Sequence, residues 1–221
     1  MKKQILLLAS LAIASLSFAQ SQTSFGIKAG ITSSGLKGDA VNSLQNLLDY
    51  TDGAITTYNR LGFFGGVNAS IAVSDLVSIE PGLYYSQKGY QMKGELNLKG
   101  VEFLGANAQA KLTSHYVDLP VLLKLNFNGL QLFAGPQVSY LAKADLRTTA
   151  GALGFNVLDK TMDVTDQFNR WDAGVTGGIG YKFANGFNIS ASYDHGLSKV
   201  DANQNLDSYN RGFKVGLGFN F

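Results

Sequence analysis

From Gly212 to Phe221 the chain places an apolar side chain at every odd position and a glycine or polar residue at every even one. A strand with this alternation has two unlike faces. The face carrying Phe213, Val215, Leu217, Phe219 and Phe221 is too apolar for water, and the face carrying Lys214 and Asn220 is too polar for a protein core. Lipid on one side and a polar lumen on the other satisfies both.

The opposite end of the sequence points to export. Lys2 and Lys3 precede an apolar run from Ile5 to Ile13, and Ser17-Phe18-Ala19 offers small residues at the −3 and −1 positions of a cleavage site before Gln20. This is the pattern of a secretory signal peptide over residues 1–19, which leaves residues 20–221 as one mature domain. The run falls short of the roughly 20 residues a spanning helix needs. With no cysteine in the chain, a lipoprotein anchor and a disulfide framework are both disfavoured. Lys2 and Lys3 supply the whole formal excess of +2, so the mature part carries 16 basic and 16 acidic residues and offers no basic bias toward nucleic acid.

Period-two alternation recurs eight times. The segments are Ser24 to Ser33, Leu61 to Val73, Leu76 to Lys88, Ser114 to Phe127, Leu130 to Lys143, Arg170 to Phe183, the run marked by Phe187, Ile189, Ala191 and Tyr193, and Gly212 to Phe221. Each is near the length of a tilted transmembrane strand. The connections alternate between short and long. Ser74-Asp75, Asn128-Gly129 and Ala184-Asn185-Gly186 are tight, and the Asn-Gly pairs predict hairpin turns with positive φ at both central residues. Long connections are expected near 34–60, 89–113, 144–169 and 198–209. Short periplasmic turns and long extracellular loops follow this parity. Phe25, Phe127, Phe183, Phe187, Phe219 and Phe221 then fall beside the short turns, and Tyr85, Tyr140, Trp171 and Tyr193 fall toward the long loops, as two aromatic girdles. Pro120 and Pro136 are expected at bulges or strand ends.

The blocks Tyr116-Val117-Asp118-Leu119-Pro120-Val121-Leu122-Leu123-Lys124, Gly135-Pro136-Gln137-Val138, Gly174-Val175-Thr176-Gly177-Gly178-Ile179-Gly180-Tyr181 and Tyr193-Asp194-His195-Gly196-Leu197 resemble those of the outer membrane β-barrel domains abundant in Bacteroidetes, of porin-family or PorT-family type and OmpA/OmpX-like architecture. Lys214, Gly216, Phe219 and Phe221 resemble the polar-x-Gly-x-x-aromatic-x-aromatic assembly signal of such barrels. The resemblance implies an all-β, eight-stranded antiparallel up-and-down transmembrane barrel in the outer membrane. Its implied partners are outer membrane lipids and the barrel-assembly machinery.

The inward phase carries Lys28, Glu80, Lys88, Asp118, Lys124, Asp172, Lys182, Asp194 and Lys214. Eight strands leave an interior just wide enough for side chains to fill, so Glu80, Asp118, Asp172 and Asp194 are expected to interleave with Lys28, Lys124 and Lys214 and plug the lumen. A gated ion path is the competing reading. His115 and His195 share the lipid-facing phase. A serine nucleophile such as Ser114 or Ser192, or a carboxylate such as Asp194, adjoins them in sequence and therefore points to the other face. No nucleophile elbow, phosphate loop or metal spacing occurs, so no catalytic, cofactor or metal residue is assigned.

Function is expected in the long connections. Val41, Leu44, Leu47 and Leu48 with Asp39 as N-cap predict a short helix, either a partner-binding element or a turn folded over the barrel mouth. Leu96, Leu98, Val101, Phe103 and Leu104 predict a hairpin that prolongs its neighbouring strands. The leading expectation is a monomeric, non-enzymatic membrane scaffold that meets an envelope or extracellular protein through its loops, without a cofactor and without nucleic acid. The alternatives are a small-solute channel, a subunit of an envelope transport or secretion machine, and a soluble lipocalin-type barrel with the two faces exchanged.

Overall fold

Alternation along the strands is resolved by a sheet that closes on itself. The computed structural model describes residues 23–38, 55–96, 106–152, 155–203 and 207–221. The expected signal peptide, the expected helix after Asp39, and Leu98, Val101, Phe103 and Leu104 lie outside the described residues.

The described residues form ten strands: β1 (Thr23–Lys37), β2 (Ile55–Ala72), β3 (Val77–Lys88), β4 (Tyr90–Leu96), β5 (Ala106–Phe127), β6 (Leu130–Ala152), β7 (Phe155–Asp163), β8 (Trp171–Lys182), β9 (Phe187–Gly196) and β10 (Tyr209–Asn220). Antiparallel pairing runs β1-β2-β3-β5-β6-β8-β9-β10 and returns from β10 to β1, so the ring passes through eight strands. Closure of this kind removes the sheet edges. Strands β3 and β4 are one course interrupted at Gly89, whose φ of +147° lies in the region open to glycine. The Ser34 hydroxyl accepts from the Gly89 N–H at 3.0 Å and ties the break to β1.

The usual distribution of side chains is inverted. On β5, Leu119, Val121, Leu123 and Leu125 are exposed while Asp118, Leu122 and Lys124 between them are buried. Every ring strand contributes to the same outward apolar band, including Ile27, Phe63, Leu83, Val138, Ile179, Ile189 and Leu217. Such a surface is stable only against apolar surroundings.

Several expectations need correction beyond the ring. Strands β5 and β6 are 22 and 23 residues long, roughly twice what a tilted strand needs to cross a bilayer. Their outer halves pair with β4 and β7, so the connection expected at 144–169 contains most of a hairpin, Asp145–Ala152 against Phe155–Asp163. The hairpin expected after Lys88 is present as β4 against the start of β5. Pro120 and Pro136 mark no bulge, since the register passes through both unshifted; the shift falls between His115 and Tyr116. The two Asn-Gly turns also differ. Asn128 and Gly129 both have positive φ, 49° and 93°, whereas at Asn185-Gly186 only the glycine does. There the Asn185 side chain accepts from the Phe187 N–H at 3.2 Å, which makes a three-residue turn with a left-handed glycine at its end.

Candidate functional site in the lumen

Two charge clusters occupy the lumen. Toward the short turns, Glu80 is the hub: Lys124 Nζ lies 2.5 Å from Oε2 and Lys28 Nζ lies 3.7 Å from Oε1. Toward the long connections, Asp118 is the hub. Lys88 Nζ lies 3.0 Å from Oδ1 and Lys214 Nζ 3.0 Å from Oδ2, while the Ser86 hydroxyl donates to Oδ2 at 2.6 Å. Lys214 also reaches Asp194 at 2.7 Å, and Lys88 donates to the Ser139 hydroxyl at 3.1 Å. Asp118 is 0% exposed, so these partners replace water entirely.

The structure thus brings Lys28, Glu80 and Lys124 into one group and Asp118, Asp194 and Lys214 into another. Asp172 departs from the expected interleaving. It lies in the second group, but Asn210 Nδ2 donates to its Oδ2 at 2.8 Å and no lysine or arginine pairs with it among the described residues. The physical reason is geometric: Lys88 and Lys214 both converge on Asp118 instead. Lys182 keeps the inward phase but stands exposed at the short-turn mouth.

Aromatic rings fill the space between the charges. Lys28 and Lys124 lie over the Phe133 ring at 5.9 and 5.5 Å, Lys214 over Phe64 at 5.6 Å, and Lys88 over Tyr116 at 4.6 Å. Rings of this kind attract a cation that has lost its water. Phe64 meets Tyr84 edge-on at 6.2 Å, and the Tyr84 hydroxyl accepts from Asn68 Nδ2 at 3.1 Å. Inward glycines make the room. A Cβ added at Gly216 would stand 2.7 Å from Phe64 Cζ, and one at Gly178 would stand 2.8 Å from Phe133 Cζ. These rings were the part of the site missed by reading charges alone. The signal for them was an aromatic in the polar phase, as at Phe64, Tyr84, Tyr116 and Phe133, with glycines in the same phase on neighbouring strands.

Each mouth is different. At the long-connection end, Leu112, Tyr116, Leu141, Ala144 and Val164 form a buried apolar cluster, with Tyr90, Leu146 and Phe168 packed against it. Val164 enters from a short 3-10 turn, Thr165–Gln167. The Thr165 hydroxyl accepts from the Ala144 N–H at 2.9 Å, and that hydroxyl and the Thr165 N–H both donate to the Asp163 carboxylate. The hydroxyl bond, and then the backbone bond, hold the Asp163 carboxyl below the usual carboxylate range. At the short-turn end the lumen opens into a vestibule of about 1000 Å³ lined by groups such as Ser24, Ser70, Ser78, Asn126 and Gln131.

Residues weighed for catalysis are dispersed. His115 Nδ1 is 2.6 Å from the Tyr85 hydroxyl on the outer wall, while Ser114 is buried on the inner side. His195 lies against the Tyr193 ring, and Asp194 faces Lys214 inside. Among the described residues, no group of three or more His, Cys, Asp or Glu could hold a metal. The four residues of the expected assembly signal divide across the wall. Lys214 and Gly216 face the lumen, whereas Phe219 packs its ring 5.1 Å from Phe187 and Phe221 is exposed.

Solved structures of similar fold include Ail of Yersinia pestis, in complex with the heparin analogue sucrose octasulfate, at 13% identity and a TM-score of 0.45, covering 90% of this chain and 99% of Ail. Neisserial surface protein A is similar at 12% identity and a TM-score of 0.45, covering 90% and 97%. OprG of Pseudomonas aeruginosa is similar at 14% identity and a TM-score of 0.36, covering 91% and 97%. Among curated protein sequences no match is found. The outward apolar band, the closed ring and the polar lumen agree with what the family comparison finds over residues 18–202: the chain belongs to the family of the outer membrane protein beta-barrel domain.

Proposed function

We propose that this barrel is a non-enzymatic scaffold or interaction protein, plugged in its lumen and acting through the sheet it raises beyond the membrane. The observation that carries the reading is the obstruction of the axis by paired charge. Two clusters of ion pairs, interleaved with Phe64, Tyr84 and Phe133, join side chains from facing strands across the lumen. With the short turns periplasmic, β4, β7 and the outer halves of β5 and β6 face the exterior. An extracellular or envelope protein is the partner class that surface suits. Closure of the ring suits a monomer that meets only lipid around its girth, and residues 1–19 suit an export signal. The finer placement among Bacteroidetes porin-family or PorT-family barrels rests on the sequence blocks.

Single-channel recording of the purified protein in planar bilayers tests the proposal. Negligible steady conductance is expected. Reproducible ion-selective openings that change in Asp118 or Lys124 variants would instead establish a small-solute channel, with the 1000 Å³ vestibule as its periplasmic entrance. Membership of a transport or secretion machine is tested separately, by whether defined envelope subunits co-purify in stoichiometric amounts.

A further inference from the structure

The cluster around Asp118 is short of positive charge. It holds three carboxylates, Asp118, Asp172 and Asp194, against two ammonium groups, Lys88 and Lys214. Both ammonium groups are engaged: Lys88 with Asp118 and Ser139, Lys214 with Asp118 and Asp194. Asp172 is only 7% exposed, pairs with no lysine or arginine among the described residues, and has no hydrogen-bond partner at Oδ1. Asp194 likewise has no partner at its buried Oδ1.

Both aspartates line one small cavity of about 20 Å³, together with the polar residues Thr32, Ser34, Gln137 and Ser139. That volume suits one water-sized occupant. Lys88 also borders the cavity, but its ammonium is bonded as described. Arg211, at the edge, donates to the Gly196 and Asn210 carbonyls. A water would serve the two orphan oxygens and leave the surplus charge in place. A divalent ion would reverse that surplus, and magnesium, which keeps several of its waters, would not fit a cavity of about 20 Å³.

We propose that Asp172 and Asp194 hold one dehydrated monovalent cation of the sodium class, with neutral oxygens of the cavity completing its shell. The ion neutralises the layer and closes the lumen at this level. The inference concerns the folded lumen and holds whether or not the barrel conducts.

The test is urea unfolding of the full chain in zwitterionic micelles at constant ionic strength, with NaCl replacing choline chloride, whose cation is too large for the cavity. The unfolding midpoint is expected to rise with NaCl and then level off, as one-site linkage requires. Asp172→Asn keeps the size, removes the surplus charge, and should abolish the sodium dependence. Asp194→Asn, which leaves Lys214 paired with Asp118, should abolish it too and serves if the first variant does not fold. Asp159→Asn, on the exterior hairpin, should retain it. Equal wild-type midpoints in the two salts, a dependence undiminished in both lumen variants, or a response to CaCl₂ alone would overturn the proposal.

Discussion

Asp118→Ala is the sharpest probe of the lumen, because the neighbours of the lost carboxylate fix the size of the effect. Lys214 keeps Asp194 at 2.7 Å and so retains a counter-charge. Lys88 keeps the Ser139 hydroxyl and the face of Tyr116 but loses its ion-pair partner, since Asp172 borders the same cavity without pairing with it. Ser86, fully buried, also loses its acceptor. One stranded charge puts the cost near the lower end of the range for a broken buried pair, about 3 kcal/mol, and the orphaned hydroxyl adds about 1 kcal/mol. The unfolding equilibrium should therefore shift by roughly two to three orders of magnitude. Trp171, the single tryptophan, lies on the outer wall and reports unfolding in urea by its emission. The double variant Asp118→Ala with Lys88→Met should recover most of the loss, since removing both partners removes the stranded charge. A single variant within about 0.5 kcal/mol of wild type, or a double variant no better than the single, would refute the claim that these charges are dry and paired.

Three further outcomes are expected. Phe221→Ala should reduce insertion into outer membranes far more than Leu123→Ala, although both side chains are outward; equal defects in a membrane-fractionation assay would leave only lost apolar surface as the explanation. Gly30→Ala should destabilise by about 1 to 3 kcal/mol, because the new Cβ would lie 2.0 Å from the Val215 carbonyl oxygen, whereas Gly65→Ala, whose nearest neighbour is 3.7 Å away, should leave the urea midpoint unchanged. Asp163 should titrate below the usual carboxylate range by NMR, and Thr165→Val should move it back. Since folding depresses this carboxyl, its contribution is present above the unfolded value of about 3.9 and is lost as pH falls through the folded value.

What was legible in the sequence is what alternation encodes. The phase of Leu119 through Leu125 settles which side chains share a face, while the structure turns that face outward, and the Asn128-Gly129 turn settles where β5 returns as β6. Both are local properties of a strand. The pairing of Lys88 and Lys214 on Asp118 is not local, because it depends on the stagger of β3, β5 and β10 around the ring. Phase puts Asp172 inside but cannot say that Asn210 would meet it in place of a lysine. The β7 hairpin escaped because Asn156, Asp159 and Lys160 give it no apolar alternation. Its strand is instead held by pairing to β6 and by the exposed Arg147–Asp159 contact at 2.6 Å.

The seam between β1 and β10 sets how the ring must form. Gly26 opposes Asn220, and the Phe25 and Phe221 backbones exchange two hydrogen bonds, so the contact that closes the circle joins residues nearly 200 apart in sequence. Every other ring pairing can form between shorter-range neighbours while the sheet is still open. The loop-closure entropy of the seam is recovered only when its whole ladder zips. Until then two strand edges stand unpaired in or near the membrane, where exposed backbone is least tolerated. The last step of assembly is therefore all-or-none. Once the circle is shut, opening it means breaking that ladder against lipid, which makes the barrel's lifetime a matter of a high kinetic barrier and less of its equilibrium stability.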